Sequence, residues 1–127
     1  MRILALDYGS ARCGVAVSDP TGLLATPIEA VADPRSDRGL GEIARLVGER
    51  GVEEVVVGLP VSLSGEKGAQ AAEAREFAAR LAERLAVPVT TFDERYTTAL
   101  ARRTPGRLPE DSRAAAHLLE SYLSAQR

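Results

Sequence analysis

The sequence predicts an α/β protein with the element order β-β-β-α-β-α-β-α-α. Three short apolar segments joined by tight turns occupy the first 31 residues, which is typical of an antiparallel meander. Beyond them, segments of helical period alternate with short apolar runs. Strands separated by helices pair in parallel through right-handed crossovers, so the second half is expected to add parallel strands.

The three opening strands are apolar segments too short for helices, and Gly-containing turns separate them. The turn Asp19-Pro20-Thr21-Gly22 is the strongest such signal. Pro27 lies inside the third segment, and proline within a strand indicates a sheet edge or a bulge. The strands are predicted at residues 2–7, 13–18 and 23–31.

The second half alternates between helical and extended patterns. The first helix has apolar residues at helical spacing from Leu40 to Val47 and a C-terminal cap at Gly51. Residues 61–68 form a predicted loop, and Ala74 to Leu85 mark one face of a long helix. Strands are predicted at residues 54–58 and 87–92, and helices near residues 94–103 and 109–125.

Composition limits the possible classes of protein. The 127 residues suffice for one domain, residues 1–127, with a substantial core. The single Cys13 excludes an internal disulfide framework. Arg2 leads directly into the first strand and no apolar stretch approaches the ~18 residues of a membrane helix, so a cytoplasmic protein without membrane contact is expected. The net charge of −2 does not favour nucleic-acid binding through a broad basic field.

Three acids lie where elements begin or end, and they are the candidate catalytic residues. Asp7 ends the first strand, Glu94 follows the last strand and Asp111 opens the last helix. If the first strand joins the parallel set, its carboxyl end and those of the later strands share one edge, where open α/β sheets bind ligands. Converging carboxylates without a Cys or His cluster favour hard divalent cations. Alternatively, Glu94 and Asp111 are ordinary first-turn acids that favour the helix dipole.

The last third of the sequence also concentrates arginines near Glu94 and Asp111. A positive rim around an acidic centre suits a polyanion that must reach metal ions, whereas the alternative is a solvated face. The arginines are Arg95, Arg102, Arg103, Arg107 and Arg113.

These segments together resemble the YqgF family of bacterial RNase H-like proteins, named as pre-16S rRNA nucleases or Holliday-junction resolvases. The resemblance spans residues 3–123 and rests on Leu4-Ala5-Leu6-Asp7-Tyr8-Gly9, Gly14-Val15-Ala16-Val17-Ser18-Asp19, Val57-Gly58-Leu59-Pro60, Asp93-Glu94-Arg95 and Asp111-Ser112. It implies an RNase H-like fold: a five-stranded mixed sheet, its first three strands antiparallel, with helices on both faces. The segment between Thr98 and Asp111 is shorter than in many members.

The resemblance implies a metal-dependent nuclease in which Asp7, Glu94 and Asp111 hold two Mg²⁺ or Mn²⁺ ions about 4 Å apart. The expected role is processing of the 5′ end of pre-16S rRNA in ribosome biogenesis. The alternatives are a Holliday-junction resolvase acting on DNA and a non-catalytic RNA-binding assembly factor. A kinase-like ATPase is disfavoured because that fold needs two such domains. A monomer or a weak homodimer is expected.

Candidate substrate contacts surround the acids, and most have a structural alternative. Gly9 lets the backbone approach the substrate or satisfies a positive φ. Arg12 contacts a phosphate or pairs with Asp19 or another acid.

The other candidate contacts lie in the loop after the fourth strand and after the fifth strand. Lys67 meets the backbone of a bound strand. Arg95 holds the scissile strand or orients Glu94. Thr97 bonds a phosphate or caps the following helix.

Overall fold

A computed structural model describes residues 1–59, 68–93 and 110–126. It contains one five-stranded sheet in the order β3-β2-β1-β4-β5. The first three strands pair antiparallel, and β4 and β5 join β1 in parallel, which confirms the predicted topology. The elements are β1 Ile3–Asp7, β2 Arg12–Ser18, β3 Ala25–Ala32, α1 Asp37–Glu49, β4 Glu54–Leu59, α2 Gly68–Arg84, β5 Val89–Asp93 and α3 Glu110–Ala125.

The sheet separates two hydrophobic layers, because successive side chains of a strand point to opposite faces. Leu4 and Leu6 of β1 belong to the core that includes residues of α1 and α2. Ile3 and Ala5 belong to the core formed with α3. Helices therefore cover both faces, as the resemblance implied. On β1, Asp7 continues the Ile3 and Ala5 series and points to the α3 side.

The third strand begins two residues later than the sequence predicts. The carboxylate of Asp19 accepts the backbone N–H groups of Leu23 and Leu24 at 2.9 and 3.0 Å. These bonds hold both residues in the turn, so pairing starts at Ala25. Pro27 lies on this edge strand as expected, and the β2–β3 register shifts between Cys13 and Val15.

Helix α1 has well-defined caps at both ends. The hydroxyl of Ser36 accepts the N–H of Gly39 at 3.0 Å. At the other end Gly51 has φ 63°, and the N–H of Val52 donates to the carbonyl of Val47. This is the Schellman arrangement, and it confirms that the helix stops at Gly51.

The later elements differ from the prediction at their ends. Helix α2 already includes Gly68, which the sequence assigns to a loop. Strand β5 begins at Val89 rather than residue 87, because Pro88 has no N–H to donate to the ladder. The predicted loop at 61–67 and helix at 94–103 lie outside the described residues. Within residues 1–59, 68–93 and 110–126, none of the helices is long and apolar enough to cross a bilayer.

Candidate functional site

The parallel register brings the carboxyl ends of β1, β4 and β5 to one edge of the sheet. Asp7 is level with Gly58, and Gly58 is level with Phe92. Adjacent strands lie about 4.8 Å apart, so the chain leaves β5 about two strand spacings from Asp7. Glu94 comes directly after β5, although Glu94 itself lies outside the described residues.

Asp7 has a glycine beside it on each neighbouring strand. Its register partners are Gly14 of β2 and Gly58 of β4. Neither position carries a side chain beside the half-buried Asp7 carboxylate. Glycine inside a strand often marks the close approach of a ligand. The strand-end argument places Gly58 at this edge, but neither Gly14 nor Gly58 is among the candidate site residues, although a glycine within an apolar strand is a usable signal.

Helix α3 begins over the same part of the sheet. Ser112 is fully buried, and its hydroxyl donates to the carbonyl of Ile28 at 2.5 Å and accepts from the N–H of Val15 at 3.5 Å. Val15 is the register partner of Leu6, next to Asp7. The backbone of Asp111, which directly precedes Ser112 in α3, is thereby brought to the Asp7 edge.

The described side chains contain only part of the predicted acid trio. Within them, no group of three or more His, Cys, Asp or Glu residues could hold a metal ion. Asp7 is inside this part of the chain, whereas the side chains of Glu94 and Asp111 are outside it. The trio therefore stays a prediction, supported by the positions of Asp7, of the end of β5 and of the start of α3.

The turn after Asp7 requires glycine at position 9 for a reason that the sequence analysis did not include. Gly9 does not have a positive φ, in contrast to Gly22 and Gly51. A Cβ at Gly9 would lie 2.7 Å from the carbonyl oxygen of Arg12, a distance that excludes a side chain. The absence of a Cβ is therefore required by the tight turn, and a contact of Gly9 with substrate stays a prediction.

Arg12 is exposed at the start of β2, on the same edge as Asp7. The suggested pairing with Asp19 is wrong, because Asp19 follows the opposite end of β2. The Asp19 carboxylate instead bonds its own turn, and hydrogen bonds from Leu24 and the Thr21 hydroxyl hold its pKa well below its usual range. Three other predicted contacts, Lys67, Arg95 and Thr97, lie outside the described residues.

A second polar group lies just beyond Asp7, on the α2 side of the sheet. The hydroxyl of Tyr8 donates to Oε1 of Glu73 at 2.5 Å, and its ring lies 4.7 Å from that of Phe77. Arg35 pairs with the same Oε1 at 3.5 Å. Burial, followed by the hydrogen bond to Glu73, raises the pKa of Tyr8 far above its usual value. These contacts join residues distant in sequence, and sequence reasoning missed them.

Comparison with solved structures defines the class of fold. The chain superposes on Thermus thermophilus RuvC in complex with a Holliday junction substrate with a TM-score of 0.66 and 16% identity, covering 99% of this chain and 96% of RuvC. It superposes on the fowlpox virus Holliday junction resolvase with a TM-score of 0.56 and 12% identity, covering 98% and 99%. The protein has the RNase H-like fold of these resolvases.

Sequence comparison then identifies the family. Residues 1–125 match the family model described as "RuvX: Holliday junction resolvase". A Chloroflexus aggregans protein named "Putative pre-16S rRNA nuclease" is 42% identical, covering 98% of this chain and 94% of its own length. A protein of the same name from Mycolicibacterium paratuberculosis is 43% identical, covering 99% and 81%. The chain belongs to the RuvX family, also called YqgF.

Proposed function

We propose that this protein is a metal-dependent nuclease that processes the 5′ end of pre-16S rRNA in the cytoplasm. The observation that supports a nuclease most directly is the Asp7 edge, where glycines flank a strand-terminal carboxylate and α3 begins alongside. The names of the relatives favour RNA as the substrate.

The donor chemistry of this edge fits a hard divalent cation. Asp7 supplies carboxylate oxygens, which Mg²⁺ and Mn²⁺ prefer, and its register partners Gly14 and Gly58 add no side chain beside them. In the proposal Asp7, Glu94 and Asp111 together hold the metal. Held there, such ions would supply charge that favours ionisation of a water and that offsets the charge on the leaving oxygen.

The chain's own residues hold the substrate and fix the acids in place. The β1 ladder positions Asp7, and the Ser112 hydroxyl anchors the start of the helix that contains Asp111. Arg12, on the same edge, offsets phosphate charge. Lys67, Arg95, Thr97 and the backbone at Gly9 complete the proposed contacts with the nucleic-acid strand.

The second candidate is a Holliday-junction resolvase, which the description of the matching family favours. Resolving a four-way junction needs two symmetric cuts and therefore two paired sites in a dimer. A single processing cut requires one site, so a monomer or weak dimer suits the RNA substrate better.

The test compares wild type with Asp7→Asn on pre-16S rRNA fragments and on synthetic four-way junctions, across Mg²⁺ and Mn²⁺ titrations. The control is Asp37→Asn, the same change at a carboxylate that is 96% exposed on α1. We expect metal-dependent cleavage of the RNA, lost in Asp7→Asn and retained in the control.

Three results would contradict the proposal in different ways. Full activity of Asp7→Asn would reject the site. Symmetric junction cleavage without RNA cleavage would favour the resolvase. Binding of RNA without cleavage under any metal condition would favour a non-catalytic assembly factor.

A further inference from the structure

A small cavity lies beside the proposed catalytic edge. Its volume is about 130 Å³ and its lining consists of Tyr8, Gly9, Ser10, Gln70 and Glu73. Tyr8 directly follows Asp7 in the chain, but its ring packs with the α1 and α2 core, whereas Asp7 faces the α3 side. A nucleic-acid strand with one phosphate at Asp7 would therefore reach this cavity by crossing the sheet edge.

The size of the cavity limits what it can accept. Protein cavities of about 150 Å³ bind benzene, so a cavity of about 130 Å³ accommodates one six-membered ring. This favours a pyrimidine over the two fused rings of a purine.

The polar groups of the lining distinguish further between the pyrimidines. The carboxylate of Glu73 can only accept hydrogen bonds, and both of its oxygens are acceptors. The hydroxyl of Tyr8 and the guanidinium of Arg35 both contact Oε1. These two contacts do not use all the acceptor sites of the carboxylate. The amino group of cytosine donates at C4, whereas uracil presents the O4 acceptor there. Glutamate paired with the cytosine amino group is an established base contact.

Gln70 supplies the complementary polarity. It lies one helical turn before Glu73 on α2, and residues three apart share a helix face. Its amide offers both a donor and an acceptor, so it can donate to the O2 or N3 acceptors of cytosine.

We propose that the cavity formed by Tyr8, Gln70 and Glu73 binds a cytosine base of the substrate strand, within one or two nucleotides of the cleaved bond. The amino group of the base donates to Glu73. This inference rests on the proposed nuclease function, and it assigns that site a preference for one base at one flanking position.

The same contacts have a purely structural interpretation, which the experiment must separate. Glu73 joins α2 to β1 through Tyr8, and it joins α2 to Arg35. A structural role predicts loss of stability in Glu73 variants but no dependence of cleavage on the identity of a nearby base.

The experiment measures kcat/KM on RNA oligonucleotides that carry cytosine, uracil or an abasic residue at each position flanking the cut. We expect wild type to cleave the cytosine substrate about tenfold faster than the uracil substrate at one position. Glu73→Gln keeps the size and the hydrogen bond to Tyr8 but can donate to uracil O4, so the preference should fall close to one. Gln70→Ala should weaken cleavage of the cytosine substrate towards the abasic level.

The matched control is Glu76→Gln, the same change at an exposed position of α2, which should keep the full preference. Circular dichroism verifies folding. Should Glu73→Gln fail to fold, the abasic series and the exposed Gln70→Ala variant still decide the question.

The outcomes separate the cavity from the nuclease proposal. Values of kcat/KM that agree within twofold for the cytosine, uracil and abasic substrates at every position would reject the cytosine proposal. The proposed nuclease function would be unaffected. Absence of cleavage would reject the proposed nuclease function. Binding affinities of the same oligonucleotides, measured by fluorescence anisotropy, would then decide whether cytosine is preferred. If Glu73→Gln kept the full preference for cytosine over uracil, the cytosine proposal would also be rejected.

Discussion

The contact between Tyr122 and Glu54 anchors the C-terminal half of α3 to the sheet. The Tyr122 hydroxyl donates to Oε2 of Glu54 at 2.5 Å, and the Thr90 hydroxyl donates to the same oxygen at 3.1 Å. The Tyr122 side chain is almost fully buried, and its ring packs edge-on against Phe92. Tyr122→Phe retains the ring contact and removes only the hydroxyl, so its effect isolates one hydrogen bond.

A hydrogen bond to a charged group contributes about 1.5–3 kcal/mol. We expect Tyr122→Phe to lower the free energy of unfolding by that amount, because Glu54 keeps the Thr90 bond but loses the shorter one. For a chain of this size the corresponding loss in Tm is roughly 6–12 °C. Urea unfolding of wild type, Tyr122→Phe, Glu54→Gln and the double variant measures the coupling, expected at about 1 kcal/mol.

The pH dependence provides a second measurement of the same contact. Burial, with the hydrogen bond to Glu54 adding to it, raises the pKa of Tyr122 from 10.0 to about 12. Because the folded pKa lies above the unfolded one, the stabilisation is complete below pH 10.0 and is lost as the pH rises towards 12. The alkaline loss of stability should therefore be smaller in Tyr122→Phe than in wild type.

Activity should not follow stability in this variant. Tyr122 lies ten residues after Ser112 in α3, about 15 Å along the helix. The cleavage rate of Tyr122→Phe at 25 °C should therefore stay within about twofold of wild type, since the lost hydroxyl is far from the Asp7 edge. A Tyr122→Phe protein as stable as wild type, or energies that simply add in the double variant, would refute this account.

Three further predictions test other parts of the structure. Ser112→Ala should lower the free energy of unfolding, measured in urea, by about 1 kcal/mol. The control Ser124→Ala, at an exposed position of α3, should leave it unchanged. Equal stabilities of the two variants would contradict the role of the buried Ser112 hydrogen bonds. Gly39→Ala should destabilise the protein, because the new Cβ would lie 2.2 Å from the Asp33 carbonyl oxygen. In Gly48→Ala the new Cβ meets nothing within 4 Å, so this variant should be more stable than wild type by up to about 1 kcal/mol. Thermal melts of the two variants measure the difference. Chelation by EDTA should abolish cleavage and remove any Mn²⁺-induced rise in Tm, and persistence of either would argue against the proposed metal.

The strand order and the position of Asp7 could be predicted from sequence because their signals are local. The apolar segments, the turn at Asp19 to Gly22 and the alternation with helical periods each occupy a few consecutive residues. General rules for parallel pairing then align the strand ends. The start of β3 was predicted too early because the apolar pattern at Leu23 does not reveal that Asp19 bonds those backbone groups.

The contacts that position the site were not predictable in the same way. Ser112 bonds Ile28 across 84 positions of the sequence, and Tyr8 bonds Glu73 across 65. No local period encodes such pairs, since each depends on the rotation of a helix against the sheet. Of the two explanations offered for Gly9, the positive φ is wrong, because the steric limit comes from the Arg12 carbonyl.

The attachment of α3 to the sheet is compatible with the chemistry proposed for Asp7. Ser112 fixes the start of the helix by bonds to Val15 and Ile28, and Tyr122 fixes its other half at Glu54, the first residue of β4. The sheet and helix are thus joined by contacts that do not use Asp7. In the proposed function, Asp7 would hold the cation without cost to the fold, because these contacts between helix and sheet do not involve its carboxylate. Substitution of Asp7 should accordingly affect turnover far more than the free energy of unfolding.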